Sequence, residues 1–198
     1  MRKAARHILV IQGHPDPSGR HFCDALAAAY ADGARAAGHR VRRLRVARIE
    51  FPLLSRRQDW ETAARTPEAI RDAQDAIVWA EHLVIVYPLW LGSMPARLKG
   101  FFEQVLRPGF AIEPLAGGRL WAQCLKGRSA HIIVTMGMPG TVYRLYFRAH
   151  SLKALERNIL RFCGIGPIRE TVIGMVEGAA VRRARALERV RRDGGRAR

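Results

Sequence analysis

The chain has 198 residues, 48% hydrophobic and 26% charged, which suits a single globular domain over 1–198 with one sizeable core and argues against disorder. No apolar run approaches the ~20 residues of a membrane helix, and the opening MRKAARHILV lacks a signal-peptide pattern, so the expected location is cytoplasmic. The formal charge of +17 would suit phosphate neutralisation, yet the arginines are spread over exposed faces with no helix-turn-helix, zinc-finger or aromatic-platform pattern. No nucleic-acid partner is expected from that distribution; anionic cofactors, substrates or membrane surfaces are. Cys23, Cys124 and Cys163 lie far apart without CxxC or Cys/His clustering and support neither a disulfide framework nor a metal site.

In chain order, residues 7–12 (HILVIQ) read as a first buried strand. A helix over 20–37 follows, with Phe22, Leu26, Ala29, Tyr30 and Gly33 inward and Gly38 as its stop. Residues 41–46 form a second strand, and 83–87 (LVIVY) a third, whose uninterrupted apolar run requires cover on both faces. Pro88 ends that strand. Ser93 can cap the next helix, Pro95 suits its first turn, and Met94, Leu98, Phe101, Phe102, Val105 and Leu106 share one face. Residues 130–135 give a fourth strand, 151–162 a helix ending at Gly164, and 167–175 a weaker fifth strand. An Arg-rich helix over 178–192 and a frayed tail over 193–198 close the chain. Strand–helix alternation of this kind implies an α/β doubly wound, three-layer α/β/α sandwich with a five-stranded parallel sheet in flavodoxin-like order 2-1-3-4-5. A ligand then belongs at the switch point between the first and third strands.

Three loops meet there. The first, residues 13–22 (GHPDPSGRHF), departs from G-x-G-x-x-G but places the Ser18 hydroxyl, the Gly19 backbone, Arg20 and His21 at a helix start, with His14 in reach. That combination binds a phosphate. The second, with Pro88, Leu89, Trp90, Leu91 and Gly92, suits a flat, partly apolar ring with polar edges such as a flavin. The third, residues 135–143 (TMGMPGTVY), carries two glycines that let backbone approach a ring edge closely.

Several segments recur in an order that resembles the flavodoxin-like NAD(P)H:quinone oxidoreductases, the DT-diaphorase and modulator-of-drug-activity group. These are HPxxS, FPLLSRR at 51–57, YPLWLGSMPARLKGFFEQVL, GFA at 109–111, and TMG…Y ahead of His150 and the CGI at 163–165. The resemblance spans roughly 6–176 and implies a homodimeric flavoprotein (FMN or FAD) that takes two electrons from NAD(P)H as hydride and passes them to a quinone or similar acceptor. It implies a flavin phosphate at His14, Ser18, Arg20, His21, Phe22 and Cys23, and an isoalloxazine at Pro88, Leu89, Trp90 and Leu91. It also implies contacts from Thr135, Met136, Gly137 and Met138, and a catalytic pair at Tyr143 and His150, with Tyr146 a competing candidate. Three alternatives stand beside the enzyme: a flavin electron carrier, a regulatory subunit of a membrane potassium-efflux system docked through the basic final helix, and a fold that binds a nucleotide without catalysis, against which the Trp90 loop speaks.

Overall fold

The structure, a computed structural model, describes residues 4–115 and 121–197. Its central sheet is parallel: β1 (His7–Gln12), β2 (Arg40–Arg45), β3 (His82–Pro88), β6 (Ser129–Thr135) and β7 (Ile168–Ile173) lie in the order β2-β1-β3-β6-β7. This is the expected 2-1-3-4-5 order, with a small antiparallel hairpin, β4 (Ile112–Pro114) and β5 (Trp121–Gln123), inserted before β6.

The three inner strands are apolar on both faces because both are covered. Leu9, Ile11, Leu83, Ile85, Ile132 and Val134 face α3 (Glu68–Trp79) and α4 (Ala96–Val105), while Ile8, Val10, Val84, Val86 and Ile133 face α1 (Phe22–Ala36) and α7 (Ala180–Gly195). The strand–helix alternation implied a crossover between the second and third strands without locating its helix. There the short α2 (Arg57–Glu61) and α3 make the crossover, α3 burying Ile70, Ala73 and Ile77. Strand β2 is an edge strand whose exposed Arg40, Arg42 and Arg43 discourage pairing with another chain.

Several boundaries differ from expectation for local reasons. α1 starts at Phe22 rather than Arg20, because His21 takes the cap position and its N–H donates to Asp24 Oδ2 at 3.3 Å. α4 is capped at Pro95 rather than by Ser93, whose backbone closes a turn with Trp90. After α5 (Gly140–Leu145), the helix expected over 151–162 is a short α6 (His150–Lys153) that widens into a π-helical stretch, Ala154–Arg161.

The tail from Asp193 is not frayed; α7 runs to Gly195, and Asp193, Gly194 and Ala197 are buried. Arg198 lies outside the described residues. The cause is a close crossing of α7 over α1, where Gly194 faces the Tyr30 carbonyl, Gly33 faces the Arg191 carbonyl, and a Cβ at either position would collide with backbone. Asp193 pairs with Arg169 of β7 at 3.1 Å, which fastens the end of the chain to the sheet.

Candidate functional site

The loops after β1, β3 and β6 converge above the switch point and are tied to one another. Gly13 N–H donates to Val86 O at 2.8 Å, Leu89 N–H to Thr135 O at 2.7 Å, and Cys23 Sγ lies 3.4 Å from Thr135 Oγ1. The third loop is braced from behind, with Met136 N–H donating to Ile173 O, Met175 N–H to Met138 O and Val176 N–H to Met136 O.

In the first loop the rings of His14 and His21 stack at 3.7 Å, and Trp90 of the second loop meets His14 edge-on at 5.6 Å. Asp16 organises this cluster: it accepts from Ser18 N–H at 2.7 Å and from the His21 ring at 2.7 Å. Those bonds, the Ser18 N–H foremost and His21 next, hold the Asp16 carboxyl down at about 2. Burial, and then the neighbouring His21, keeps His14 below the usual imidazole range. Gly19 suits its φ of +75°, and a Cβ there would press on the Arg45 guanidinium, the movable end of a long side chain. Arg45 in turn donates to Pro17 O at 3.3 Å and pairs with Asp24 at 3.2 Å.

What remains is a set of donors. Among the described residues, the N–H groups of Gly19, Arg20, Phe22 and Cys23 have no protein acceptor, and they surround the first turn of a 15-residue helix. A cavity of about 610 Å³ wraps this turn, lined by Arg20, Arg43, Arg45 and Arg183. Beneath it the Gln12 amide is buried with neither Oε1 nor Nε2 bonded among the described residues. Basic side chains and free N–H groups around a helix start fit a phosphate group.

The second loop adds a flat apolar wall. Trp90 and Ser93 bond mutually through their backbones at 2.8 and 2.9 Å, and Leu91 (φ 44°) and Gly92 (φ 75°) both occupy the left-handed region, a primed turn. Leu91 is fully exposed and Trp90 half-exposed, beside half-buried Pro88 and Leu89. In the third loop Thr135 and Met136 are buried, Met138 is half-buried and Gly137 is open to solvent. A phosphate cradle, an apolar wall and an open glycine backbone on adjoining loops match the three parts of a flavin nucleotide.

The structure therefore brings His14, Ser18, Arg20, His21 and Phe22 together with Trp90, and the Cys23 side chain is absorbed into packing, where burial pushes its thiol up to about 12. The expected catalytic pair divides. Tyr143 is buried, its hydroxyl 2.8 Å from Ser151 Oγ and accepting from Leu152 N–H at 3.1 Å, while His150 is exposed. Tyr146 is 80% exposed and stacks edge-on against Phe147. Arg45 and Arg183 were not anticipated, since only the fold carries them to the loop, and Gln12, next to the loop in sequence, reads only as the last residue of a strand. Asp16 was read as turn chemistry, and its spacing of two residues from Ser18 was the available signal.

Comparison with known proteins agrees with this geometry. An uncharacterized NAD(P)H oxidoreductase of Haemophilus influenzae is 31% identical over 109 residues, 54% of this chain and 53% of that protein. The chain spans about half the length of the curated relatives it matches. Among solved structures, an NAD(P)H:quinone oxidoreductase from Methanothermobacter marburgensis superposes with a TM-score of 0.80 at 23% identity, covering 96% of this chain and 98% of that one. An FMN-dependent NADH-azoreductase from Bacillus anthracis in complex with FMN gives 0.73 at 18% identity, covering 96% and 98%. At these identities the likeness shows the fold. Residues 6–193 match the Flavodoxin_2 family, described as having a flavodoxin-like fold, and with that match over nearly its whole length the chain belongs to this family.

Proposed function

We propose that this protein is a flavin-dependent NAD(P)H oxidoreductase that passes two electrons to a quinone-like acceptor. The observation that carries the reading is the junction of the phosphate-binding first loop with the apolar Trp90 wall at the β1/β3 switch point. Similarity to relatives supports it: FMN-dependent NADH:quinone oxidoreductases from Ruegeria pomeroyi and Bradyrhizobium diazoefficiens match segments covering 42% and 51% of this chain.

A bound flavin supplies the hydride-accepting and hydride-donating chemistry, and the protein supplies binding, orientation and electrostatics. Ser18, Arg20 and the free N–H groups of Gly19, Arg20, Phe22 and Cys23 hold the phosphate, and the Asp16-oriented His21 and His14 flank it. Pro88, Leu89, Trp90 and Leu91 would lie against the ring, and the third loop would border its polar edge, where the N–H groups of Gly137 and Met138, which donate to no backbone carbonyl among the described residues, would stabilise developing negative charge. His150 is the exposed imidazole of the expected pair and serves as the proton donor. Tyr143 is a positioning residue, since its hydroxyl grips Ser151 and Leu152 directly after His150.

The test begins with reconstitution of the purified protein with FMN and with FAD, followed by release of the bound chromophore by heat and its identification by mass. Anaerobic NADH or NADPH should bleach the yellow protein, and a soluble quinone should restore the colour. A protein that retains neither flavin, or whose flavin does not bleach with either nicotinamide, would overturn the proposal.

A further inference from the structure

At the opposite pole of the sheet, where β1, β3 and β6 begin, the structure holds a second polar site unrelated to the three loops. We propose that this pole binds a small organic anion, a carboxylate with a short apolar body, between Arg6 and the Ser129–His82 pair. The cavity measures about 300 Å³, and Arg6, Arg169, His82 and Ser129 line it together with the carbon of Pro167 and Ile168.

The charges set the sign of the ligand. Arg169 is paired with buried Asp193 at 3.1 Å, so its charge is offset. The half-buried Arg6 guanidinium makes one long hydrogen bond, Nη1 to Ala197 O at 3.4 Å, and has no carboxylate partner among the described residues. Among the described residues the cavity therefore keeps one net positive charge away from full hydration, where a paired anion is worth more than on an open surface.

The floor of the cavity supplies a directional donor. His82 and Ser129 are opposed in the β3–β6 register; they are 2% and 8% exposed, and His82 Nδ1 lies 2.8 Å from Ser129 Oγ. The other ring nitrogen, Nε2, lies 3.0 Å from the buried Tyr30 hydroxyl of α1. With Tyr30 O–H donating to Nε2 and Nδ1–H donating to Ser129 Oγ, the serine proton is left to donate outward, into the cavity beside Arg6. An anion is the ligand that selects this orientation of the chain.

Size sets the class. A volume near 300 Å³ is at the small end of organic ligand sites, and an inorganic oxyanion would leave the Pro167 and Ile168 wall without a partner. A carboxylate carrying a few carbons or one ring meets both the cation and the wall.

The site has a built-in reporter. Burial, followed by the charges of His131, Arg6 and His39, brings His82 down to about 3, while Tyr30 and Ser129 hold its ring and the Arg169–Asp193 pair lies alongside. An anion beside Arg6 offsets one of the cations that depress His82, so binding should raise the pH at which His82 titrates.

Benzoate, butyrate and inorganic phosphate are the probes, titrated into the full-length protein at constant ionic strength. The readouts are the imidazole ¹H–¹⁵N signals, assigned with His82→Gln, and the thermal midpoint. We expect saturable shifts of the His82 signals with benzoate and butyrate and weaker ones with phosphate. Arg6→Gln should weaken the response at least tenfold, Ser129→Ala should weaken it while leaving the charge intact, and Arg189→Gln, which removes an exposed charge from α7, should leave it unchanged. Non-saturating shifts, an equal loss in Arg189→Gln, or full responses in both Arg6→Gln and Ser129→Ala would overturn the site. Phosphate binding as tightly as benzoate would overturn the organic ligand class.

Discussion

Replacing Gly33 by alanine should cost stability although it strengthens α1 as an isolated helix. On propensity alone the change favours folding by about 1 kcal/mol. In the structure the new methyl would fall on the Arg191 carbonyl oxygen and 2.7 Å from its carbonyl carbon, against an ordinary contact of at least 3.4 Å. The obstacle is backbone, so no rotamer relieves it, and α1 and α7 must separate locally by more than 0.7 Å (3.4 − 2.7). That opens the packing of Leu26, Tyr30, Ala34 and Val190 between the helices and the sheet. Overpacking of this kind costs about 1–3 kcal/mol; set against the propensity gain, this leaves a net loss of about 1 kcal/mol, which should lower the thermal midpoint by roughly 2–4 °C for a domain of this size. Gly195→Ala is the matched control, because a Cβ there meets Gly33 O at 3.4 Å and Ala37 Cβ at 3.8 Å, which are ordinary contacts. Urea unfolding of the two variants should therefore give opposite signs. A Gly33→Ala protein as stable as the parent, with an unchanged m-value, would falsify the claim that the α1–α7 crossing is limited by backbone contact.

Four further outcomes follow from the geometry. His82 is neutral when folded, with its value brought down by burial to about 3, whereas an unfolded histidine titrates near 6.5. The unfolded chain then binds the extra proton between these values, so stability falls as pH drops below about 6.5, by up to ~1.4 kcal/mol per pH unit for this one group. His82→Gln should flatten the slope of urea stability between pH 6.5 and 5, and an unchanged slope would refute the assignment. Burial pushes the Cys23 and Cys163 thiols up to about 12, so iodoacetamide near pH 8 should label exposed Cys124 first, with peptide mass mapping as the readout. Tyr143→Phe should leave the buried Leu152 N–H without its acceptor and cost about 1–3 kcal/mol. Because the hydroxyl positions rather than reacts, the pH profile of turnover should keep its shape, and a displaced profile would return Tyr143 to direct chemistry. Arg20→Ala combined with Ser18→Ala should weaken flavin at least tenfold, since each charge-assisted bond contributes ~1.5–3 kcal/mol, and unchanged flavin retention would remove these residues from the phosphate site.

Local patterns carried much of this protein. The LVIVY run at 83–87 could only be a strand covered on both sides, and the spacing of Met94, Leu98, Phe101, Phe102 and Val105 could only be a buried helix face; all of these are buried. Pro88, Leu89, Trp90 and Leu91 between them located a ligand loop, because the end of a buried strand and the start of a helix are legible from neighbours in the chain. The interior of the first loop was not legible in the same way. That Asp16 would hold His21 and that His21 would cap α1 are fixed by the three-dimensional course of the loop itself, and that Arg45 and Arg183 would reach the same cavity depends on elements far apart in sequence. Tyr143 looked free from its loop position, yet its hydroxyl is taken up by Ser151 and Leu152 once α6 turns back on it. The tail shows the same division: DGGRAR has the composition of a frayed end, but Gly194 within it, together with Gly33 of α1, lets α7 approach α1 closely. Hydrophobic period and turn chemistry act between residues a few positions apart, so the sequence by itself determines elements and their order. Which polar groups meet, which are buried and which stay free to bind a ligand is set by distances across the folded chain, and only the tertiary structure decides it.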